Sequence, residues 1–417
     1  MPTIEALLSG GILPAAALQR QLGVSPATLM RTVRDSPEVV RFGRARATRY
    51  AWQQRWINLD ASRFPVLQID AAGRAESAGH LVTLAARQTV WLPAGTLHHG
   101  LPLAISDARP SGFLGRHFAL QHADLRLPAR LTDWSDHHVL LAMSRRGEDL
   151  PGNLLIGDES FARWQALPLN SHARSDYPML ADATIAGHPP GSSAGGERPK
   201  FGVLAGERHL LVKFAARGPD MAARRWCDLL VLESLALQVV ADHGIAAART
   251  DIVESERYCF LESERFDRIG PRGRAAVLSL AASHDDLADN WAQAAVRLRE
   301  RDRVSAEDAR RLRWLDAFGA LTANTDRHPY NILFFPREGA LTLAPAFDHA
   351  AMHYAPSSDS QVQSNPMPFP LQTAETLDVW ESARAAAAEF WLRAGDDDRL
   401  SDDMRRVAGL NLNVLRA

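Results

Sequence analysis

The sequence has almost no lysine, although it carries an ordinary number of positive charges. Of its 47 basic residues 45 are arginine, and the two lysines, Lys200 and Lys213, lie within one stretch of fourteen residues. The ammonium group of lysine is a compact point charge that arginine does not replace between phosphate oxygens. We therefore expect this stretch to contain a site that depends on lysine.

Cysteines and long apolar runs are also scarce. Two cysteines, Cys227 and Cys259, are too few for a disulfide framework or a cysteine-rich zinc site. No apolar run approaches the ~18 residues of a transmembrane helix, and no basic flank precedes an apolar stretch as in a signal peptide. From these observations we do not expect a secreted, membrane-spanning or zinc-finger protein. With 417 residues, 46% of them hydrophobic, we expect a cytoplasmic protein of two or three folding units.

A helix-turn-helix is predicted near the N-terminus. Residues 15–22 have the pattern of a short helix, and Gly23 follows where a left-handed residue is needed. Ser25 then suits an N-cap and Pro26 the first position of a second helix that reaches Val33. Two helices joined by a glycine-containing turn are typical of DNA-binding helix-turn-helix motifs.

The charge of this region supports nucleic-acid binding. Residues 39–50 read as two short strands around a basic turn, like the wing of a winged helix, and residues 1–55 hold eight arginines against three acidic residues, a charge of +5 in a chain of −2. We predict that a winged helix-turn-helix domain, residues 1–58, binds DNA. The residues expected to contact DNA are Thr28, Arg31, Arg34, Arg44 and Arg46. A winged helix used only for dimerisation or docking is the alternative.

The rest of the chain is predicted to be α+β, in three segments. Residues 59–185 alternate short strands and turns and form a supporting α+β subdomain. Residues 186–268 contain a Gly/Ser-rich loop, a hairpin and one long helix from about 221 to 242, as in a small β-rich lobe. Residues 269–417 are mostly helical.

Lys213 is the first residue of a catalytic pattern. It lies in an apolar strand, where an unpaired ammonium would be too costly. Glu233 lies on the apolar stripe of the following helix and is the predicted partner, as in the Lys–Glu pair of protein kinases. An exposed Glu233 at the edge of the stripe is the alternative. The Gly/Ser loop of residues 192–196 is of the kind whose backbone N–H groups cradle phosphate.

Two further motifs complete the pattern. Asp326 and Asn331 stand five residues apart between a helix and a short apolar strand, which is the spacing of a kinase catalytic loop. Asp348 follows seventeen residues later, after another apolar strand. In such a loop the aspartate orients a hydroxyl group, while the asparagine and the second aspartate hold Mg²⁺.

Histidine is frequent, but we expect no metal site built from it. His188, His328, His349 and His353 have no cysteine nearby in the sequence. We expect them to be solvated or locally hydrogen-bonded.

Four stretches carry a resemblance to a known family. They are residues 195–201 (GGERPKF), 264–268 (ERFDR), 324–331 (NTDRHPYN) and 343–348 (LAPAFD). Together they resemble the HipA family of bacterial serine/threonine kinases, which includes toxins of type II toxin–antitoxin pairs. The resemblance covers residues 185–417 with specific motifs and residues 60–185 loosely. The added N-terminal winged helix is similar to the YjjJ-type branch of the family.

The resemblance implies a two-lobed, protein-kinase-like HipA fold with a helical C-lobe and an ATP- and Mg²⁺-dependent activity. By this resemblance Asp326 and Lys213 are catalytic, Asn331 and Asp348 bind Mg²⁺, and Ser193, with Ser192 beside it, is the site of inactivating autophosphorylation. The residues implied in nucleotide binding are Lys213, Glu233, Glu264, Phe266, Ser193, Ala194, Gly195, Gly196, His328, Asn331 and Asp348. The loop Gly196–Lys200 departs from the family's Gly-x-Gln-x-Lys form.

The resemblance also implies partners and leaves alternatives. The substrate would be a protein hydroxyl, as on an aminoacyl-tRNA synthetase or another translation factor, with DNA bound by the N-terminal module and no membrane partner. A winged helix that reads a palindrome would favour a homodimer. One alternative is a DNA-binding transcriptional regulator whose kinase fold senses nucleotide without turnover. Another is a small-molecule kinase of the aminoglycoside type.

Overall fold

The computed structural model describes residues 2–187, 199–283 and 290–417. Within these residues the chain divides into two compact units. The first comprises residues 1–70, 74–111 and 118–168, and the second comprises residues 71–73, 112–117 and 169–417. No helix in the described ranges is long and apolar enough to cross a membrane.

Seven α-helices and eight strands lie in the described residues before residue 169. The helices are α1 (Ile4–Ser9), α2 (Ala15–Leu22), α3 (Pro26–Arg34), α4 (Leu103–Asp107), α5 (Gly112–Gln121), α6 (Asp136–Arg146) and α7 (Asp158–Ala166). The strands are β1 (Leu13–Pro14), β2 (Val39–Phe42), β3 (Arg49–Trp52), β4 (Arg63–Ile69), β5 (Ala75–Thr83), β6 (Gln88–Leu92), β7 (Thr96–His99) and β8 (Leu154–Ile156).

The remaining elements belong to the second unit. The helices are α8 (Tyr177–Ala186), α9 (Met221–Asp242), α10 (Leu280–Ser283), α11 (Trp291–Glu300), α12 (Ala306–Leu321), α13 (Leu377–Asp396) and α14 (Asp402–Arg416). The strands are β9 (Lys200–Ala205), β10 (Arg208–Ala216), β11 (Thr250–Glu254), β12 (Tyr258–Glu264), β13 (Arg268–Ile269), β14 (Gly273–Arg274), β15 (Leu278–Ser279), β16 (Leu333–Arg337) and β17 (Ala340–Leu343).

The N-terminal helices have the predicted bounds. The Ser25 hydroxyl accepts from the Thr28 N–H at 3.2 Å and so caps α3, which has Pro26 at its first position. Gly23 is left-handed at the end of α2. The two strands predicted around a basic turn are β2 and β3, which pair antiparallel with each other.

The first 58 residues share a hydrophobic core with the residues that follow. Val40, Phe42 and Ala51 pack with Leu84 and with Val82 and Val90 of the five-stranded sheet, whose order is β7-β6-β5-β4-β8. The indole N–H of Trp56 also donates to the Leu84 carbonyl at 3.0 Å. The predicted boundary at residue 58 therefore falls inside one compact unit.

The predicted boundary at residue 185 also differs from the boundary between the two compact units. Helix α8 lies before it, but Tyr177 and Ala181 of this helix pack in the core of the four-stranded sheet β11-β12-β10-β9. The Tyr177 hydroxyl donates to Glu262 of β12 at 2.7 Å. The second unit accordingly begins at Leu169 in this part of the chain.

The second unit is a four-stranded sheet with α9 packed on it, followed by a large helical core. The long helix predicted from about 221 to 242 is present with those bounds, and Gly244 beyond it is left-handed. Helices α11, α12, α13 and α14 bury a common set of aromatic and aliphatic side chains together with α9. This core fixes the base from which the loops after α12 and β17 project.

Candidate functional site

Lys213 lies near the centre of the candidate site. It is on β10, between β9 and β12, and it is buried, with 4% of its surface exposed. Its Nζ donates to both oxygens of Glu233, at 2.6 and 2.8 Å, and to Oδ1 of Asp348 at 2.5 Å. The structure therefore brings together three residues that are widely spaced in the sequence.

Glu233 is buried, which its predicted role as the ion-pair partner of Lys213 requires. It lies in the middle of α9, and only 2% of its surface is exposed. Its helical neighbours on the same stripe, Leu230 and Leu237, are fully buried against the surrounding strands and helices. An exposed glutamate at the edge of the stripe, the alternative considered above, does not describe this residue.

The electrostatics of the cluster keep Lys213 and Asp348 charged, whereas burial raises the pKa of Glu233. Burial opposes the charge on Lys213, but the carboxylates of Asp348 and Glu233 outweigh burial and hold the pKa of the Lys213 ammonium well above its ordinary value. Burial likewise opposes ionisation of Asp348, but Lys213 and Lys200 outweigh it and hold its pKa well below the ordinary value. Charged Lys213 and ionised Asp348 are thus the stable states at neutral pH.

The second lysine belongs to the same cluster. In the antiparallel pair of β9 and β10, Lys200 is directly opposite Lys213. Like charges in that position destabilise a sheet unless other groups compensate them. The charge of Lys200 acts on Glu233, Asp326 and Asp348. The only two lysines of the chain are therefore cross-strand neighbours beside three carboxylates.

The predicted catalytic loop follows α12 and is held by its own polar groups. Ala323 has a left-handed backbone, with φ 62°, which is uncommon for a residue with a side chain. The Asn324 side-chain oxygen accepts from the N–H of Asp326 at 3.0 Å, and the amide of Asn331 donates to the Asp326 carbonyl at 3.0 Å. The indole of Trp291 donates to the His328 carbonyl at 3.1 Å. These bonds fix the backbone on either side of Asp326.

The Asp326 side chain itself is accessible. It is 54% exposed, and its Oδ1 lies 3.9 Å from Nε2 of His328. Burial of the surrounding loop raises the pKa of Asp326, Asp348 raises it further, and the positive groups His328, Lys213 and Lys200 act in the opposite direction. An exposed carboxylate on a fixed backbone can accept a hydrogen bond from an incoming hydroxyl group.

An ion pair beneath the loop was not predicted. Arg327 donates to Asp316 of α12 at 3.1 Å and also to the Asn324 carbonyl. A Cβ on Gly319 would lie 2.7 Å from Cδ of Arg327 and 3.2 Å from Cε1 of His349, so only glycine leaves room for both side chains. A glycine inside a helical pattern eight residues before an arginine was the available signal for this contact.

Asp348 also has a strained backbone. Its φ is 54°, in the left-handed region, and its carboxyl side chain is 33% exposed. The next residue, His349, is buried beside Phe318, and burial lowers its pKa to about 3. His349 is therefore neutral and hydrogen-bonds the Thr322 hydroxyl at 3.2 Å. It is locally hydrogen-bonded, as predicted, and does not face the cluster as a cation.

The segment that contains Glu264 and Phe266, both implied in nucleotide binding, joins the sheet to the helical part. Glu264 ends β12, and its backbone N–H donates to the Arg249 carbonyl at 2.9 Å. The ring of Phe266 packs on Phe335 and Phe347, with centroids 6.1 and 5.6 Å away. Phe266 thus fixes this segment against the strands that precede Asp348.

Asn331 and Asp348 have the chemistry of a magnesium site. Asn331 is 5% exposed, and its amide nitrogen is used in the bond to Asp326, which leaves the side-chain oxygen for a cation. One oxygen of Asp348 is bound by Lys213 and the other is available. No group of three or more His, Cys, Asp or Glu suited to a metal occurs in the described ranges. Mg²⁺ commonly takes one or two protein oxygens together with phosphate oxygens and water, so these residues fit it.

Some predicted residues lie outside the described ranges. They are His188, Ser192, Ser193, Ala194, Gly195 and Gly196. The roles of residues 192–196 in phosphate binding and autophosphorylation stay predictions, as does the expected solvation or local hydrogen bonding of His188.

The residues predicted to contact DNA are on α3 and in the turn between β2 and β3. Arg31, Arg34, Arg44 and Arg46 are exposed, while Thr28 is half-buried and its hydroxyl lies 3.0 Å from that of Ser25. Thr28 is therefore engaged in the N-cap of α3. The assignment of this region as a DNA-binding winged helix stays a prediction.

Comparison with known proteins gives a consistent result. Residues 60–165 match the family model described as the YjjJ-like toxin, middle domain, and residues 192–408 match the HipA-like C-terminal domain. A solved complex of HipA, HipB and operator DNA from Shewanella oneidensis MR-1 has a similar fold. Its TM-score is 0.54 at 14% identity, and the match covers 84% of this chain and 96% of that chain. The fold and the C-terminal motifs define a HipA-like protein.

A relative that aligns with nearly the whole chain defines a narrower group within this family. Toxin YjjJ of Escherichia coli K12 is 34% identical over 433 aligned residues, which cover 98% of this chain and 96% of that protein. The chain belongs to the HipA-like family and, within it, to the YjjJ-like toxins.

Proposed function

We propose that the protein is an ATP- and Mg²⁺-dependent serine/threonine protein kinase. The observation that carries the proposal is the convergence of Lys213, Glu233 and Asp348, with Lys200 directly opposite Lys213. Two ammonium groups beside carboxylates suit a polyphosphate with its metal ion. A protein that only senses nucleotide would not require the exposed Asp326 as well.

Lys213 is positioned by Glu233 to contact ATP phosphates. Glu233 is the permanent partner, because its side chain is 3% exposed, whereas the side chain of Asp348 is 33% exposed. Asp348 can exchange Lys213 for a metal ion without leaving a buried charge unpaired. Asn331 and Asp348 would hold Mg²⁺, which supplies positive charge to the transferring phosphoryl group.

Asp326 orients the hydroxyl group of the substrate. Asn324, Asn331 and Trp291 hold the backbone of this loop, so its carboxylate has a fixed position at the surface of the unit. A fixed acceptor places the hydroxyl oxygen for in-line attack on the γ-phosphoryl group. We propose a protein hydroxyl as substrate, since the C-terminal domain is that of HipA-like proteins.

The proposal extends to the biological context suggested by the relatives. We propose a toxin-like role in the cytoplasm, because the relative from Escherichia coli is called a toxin. We further propose that the exposed arginines of α3 and of the β2–β3 turn bind DNA. Support comes from the +5 charge of residues 1–55 in a chain of −2.

The test is phosphosite mapping after incubation with labelled ATP and Mg²⁺. The parent protein should become labelled, with Ser193 or Ser192 as the expected sites, and EDTA should abolish labelling. Asp326→Asn should lose labelling while keeping its fold, because the replaced side chain is exposed and makes no close ion pair. Asp302→Ala, which changes an 86% exposed carboxylate elsewhere in the unit, is the matched control.

Two results would contradict the proposal. Equal labelling of the parent and of Asp326→Asn would indicate a contaminating kinase. Binding of ATP by a parent protein that is never labelled, and whose intact mass shows no phosphate, would favour a nucleotide sensor.

A further inference from the structure

The two cysteines of the chain meet in the second unit. Cys259 lies on β12 and is 1% exposed, in a small apolar cluster that contains Leu230 and is contacted by Cys227. Cys227 lies on α9, and its sulfur contacts the Ala216 carbonyl at 3.8 Å, while Cys259 is directly opposite Ala215 on the paired strand. The thiols hydrogen-bond each other, and that bond, together with burial, raises the pKa of Cys259 far above its ordinary value.

One thiol of the pair is reachable from solvent. Cys227 is half-buried and lines an open cleft of about 700 Å³. Cys227 is the more accessible of the two thiols, so a peroxide in the cleft reaches it first. We therefore take Cys227 as the nucleophile of the pair, and the buried Cys259 is placed to react second.

We propose that Cys227 and Cys259 form a reversible intramolecular disulfide when the protein meets a hydroperoxide. The Cys227 thiolate attacks one peroxide oxygen, the O–O bond breaks and hydroxide leaves, so the sulfur becomes a sulfenic acid. The Cys259 thiol then attacks that sulfur, the S–S bond forms and water leaves with the Cys259 proton. The two sulfurs are oxidised and the peroxide is reduced.

The bond would join two elements of the candidate site. Cys227 precedes Glu233 by six residues of α9, or about 9 Å at 1.5 Å per residue. Cys259 is paired with Ala215, two residues beyond Lys213 on β10. The disulfide would therefore fasten the helix that carries Glu233 to the sheet that carries Lys213. Neither the bond nor this fastening depends on phosphoryl transfer, so its test stands apart from the proposed function.

The first experiment counts thiols in the full-length protein by intact mass after denaturation in iodoacetamide. The reduced protein should take up two alkyl groups, and the protein treated with hydrogen peroxide should take up none. Treatment with a phosphine reductant should restore both. Because the chain has only two cysteines, an intramolecular disulfide can only be this one. Cys227→Ser is the matched control, in which Cys259 should stay alkylatable after peroxide.

The second experiment measures amide hydrogen exchange along α9. Exchange in residues 221–232 should become slower in the oxidised protein and return to its original rate on reduction, while Cys227→Ser should show no change. Three results would overturn the proposal: two alkyl groups retained after peroxide, oxidation of Cys227 to a sulfinic acid with Cys259 still reduced, or a disulfide-linked dimer. A bond that forms without slowing exchange would overturn the fastening of α9.

Discussion

The ion pair between Lys213 and Glu233 is the residue-scale feature on which the site depends. It is buried, so its charges are removed from water, and the pair is retained only because the geometry is close and bidentate. Asp348 makes a third contact from a more exposed position. The arrangement is typical of an ammonium whose position matters more than its contribution to stability.

Variants of this pair should show that its effect on stability is distinct from its effect on labelling by ATP. We expect Lys213→Met to lower the free energy of unfolding by about 3–5 kcal/mol, because Glu233 is left buried without its partner. The double variant Lys213→Met/Glu233→Leu should recover most of that loss and still show no labelling by ATP. Urea unfolding followed by circular dichroism measures the stability.

An exposed ion pair provides the comparison. Arg217 and Glu254 are each more than 40% exposed and lie 3.2 Å apart. Glu254→Ala should cost less than about 1 kcal/mol, since water screens such pairs. If the double variant were no more stable than Lys213→Met, the buried pair would be needed for folding and not only for positioning.

The sequence predicted one ion pair of the site but not the contacts around it. Local patterns of strand and helix predicted the pair of Lys213 with Glu233, and the structure confirms it. The contact of Lys213 with Asp348 was not predicted. The register that places Lys200 opposite Lys213 depends on the hairpin turn. The pairing of Arg327 with Asp316 depends on how the loop folds back on α12, and Gly319 was the one local signal of it.

At the scale of elements, α12 holds the loop that follows it in a fixed position. The helix supplies Asp316 and the space at Gly319 into which Arg327 and His349 fit. Arg327 in turn bonds the Asn324 carbonyl, two residues before Asp326. The backbone that carries Asp326 is thus positioned by packing on α12.

Gly319→Ala tests this arrangement. The added methyl group would lie 2.7 Å from Cδ of Arg327, so Arg327 must move and the loop with it. We expect labelling by ATP to fall at least about tenfold, the effect of a misplaced catalytic group, while the protein stays folded. Kinetic assay and thermal unfolding are the two measurements.

A second helical glycine is the matched control. Gly409 lies inside α14, and nothing would meet an added Cβ within 4 Å. Gly409→Ala should raise stability by about 0.5–1 kcal/mol, because alanine is the better helix former, and should leave labelling unchanged. Equal loss of labelling in the two variants would contradict the role given to Gly319.

Helix bounds were predicted where capping residues mark them. Ser25 and Pro26 begin α3, and the predicted end of the long helix near Asp242 is confirmed. In the part predicted to be mostly helical, α13 begins at Leu377, and a 3₁₀ turn, Ala374–Thr376, precedes it. Patterns of apolar residues do not distinguish such a turn from the first turn of an α-helix.

At the scale of the whole molecule, the N-terminal charge predicts a salt-dependent association with DNA. Arg44 and Arg46 are exposed in the β2–β3 turn. If both contact phosphate, Arg44→Ala/Arg46→Ala should lower the slope of log K against log salt by about 2, at ~0.9 per phosphate contact. Fluorescence anisotropy with duplex DNA at several salt concentrations measures it. Arg337→Ala, an exposed arginine of the second unit, should leave the slope unchanged.

The shared core of the first unit determines how the N-terminal residues can be studied. Leu84, together with Val82 and Val90 of the five-stranded sheet, packs on side chains of β2 and β3, so removing residues 1–52 would expose all three to water. Exposing each such side chain costs about 1.5–3 kcal/mol. We expect the truncated protein to melt at a lower temperature than the parent and to associate through the uncovered surface.

Point substitutions such as Arg31→Ala avoid this loss, because the replaced side chain is exposed. Thermal unfolding and sedimentation of the truncated chain beside Arg31→Ala therefore decide whether an effect of truncation comes from lost DNA contacts or from a damaged fold. A truncated chain that is monomeric and melts with the parent would show that residues 1–58 form an independent domain, as the sequence alone suggested.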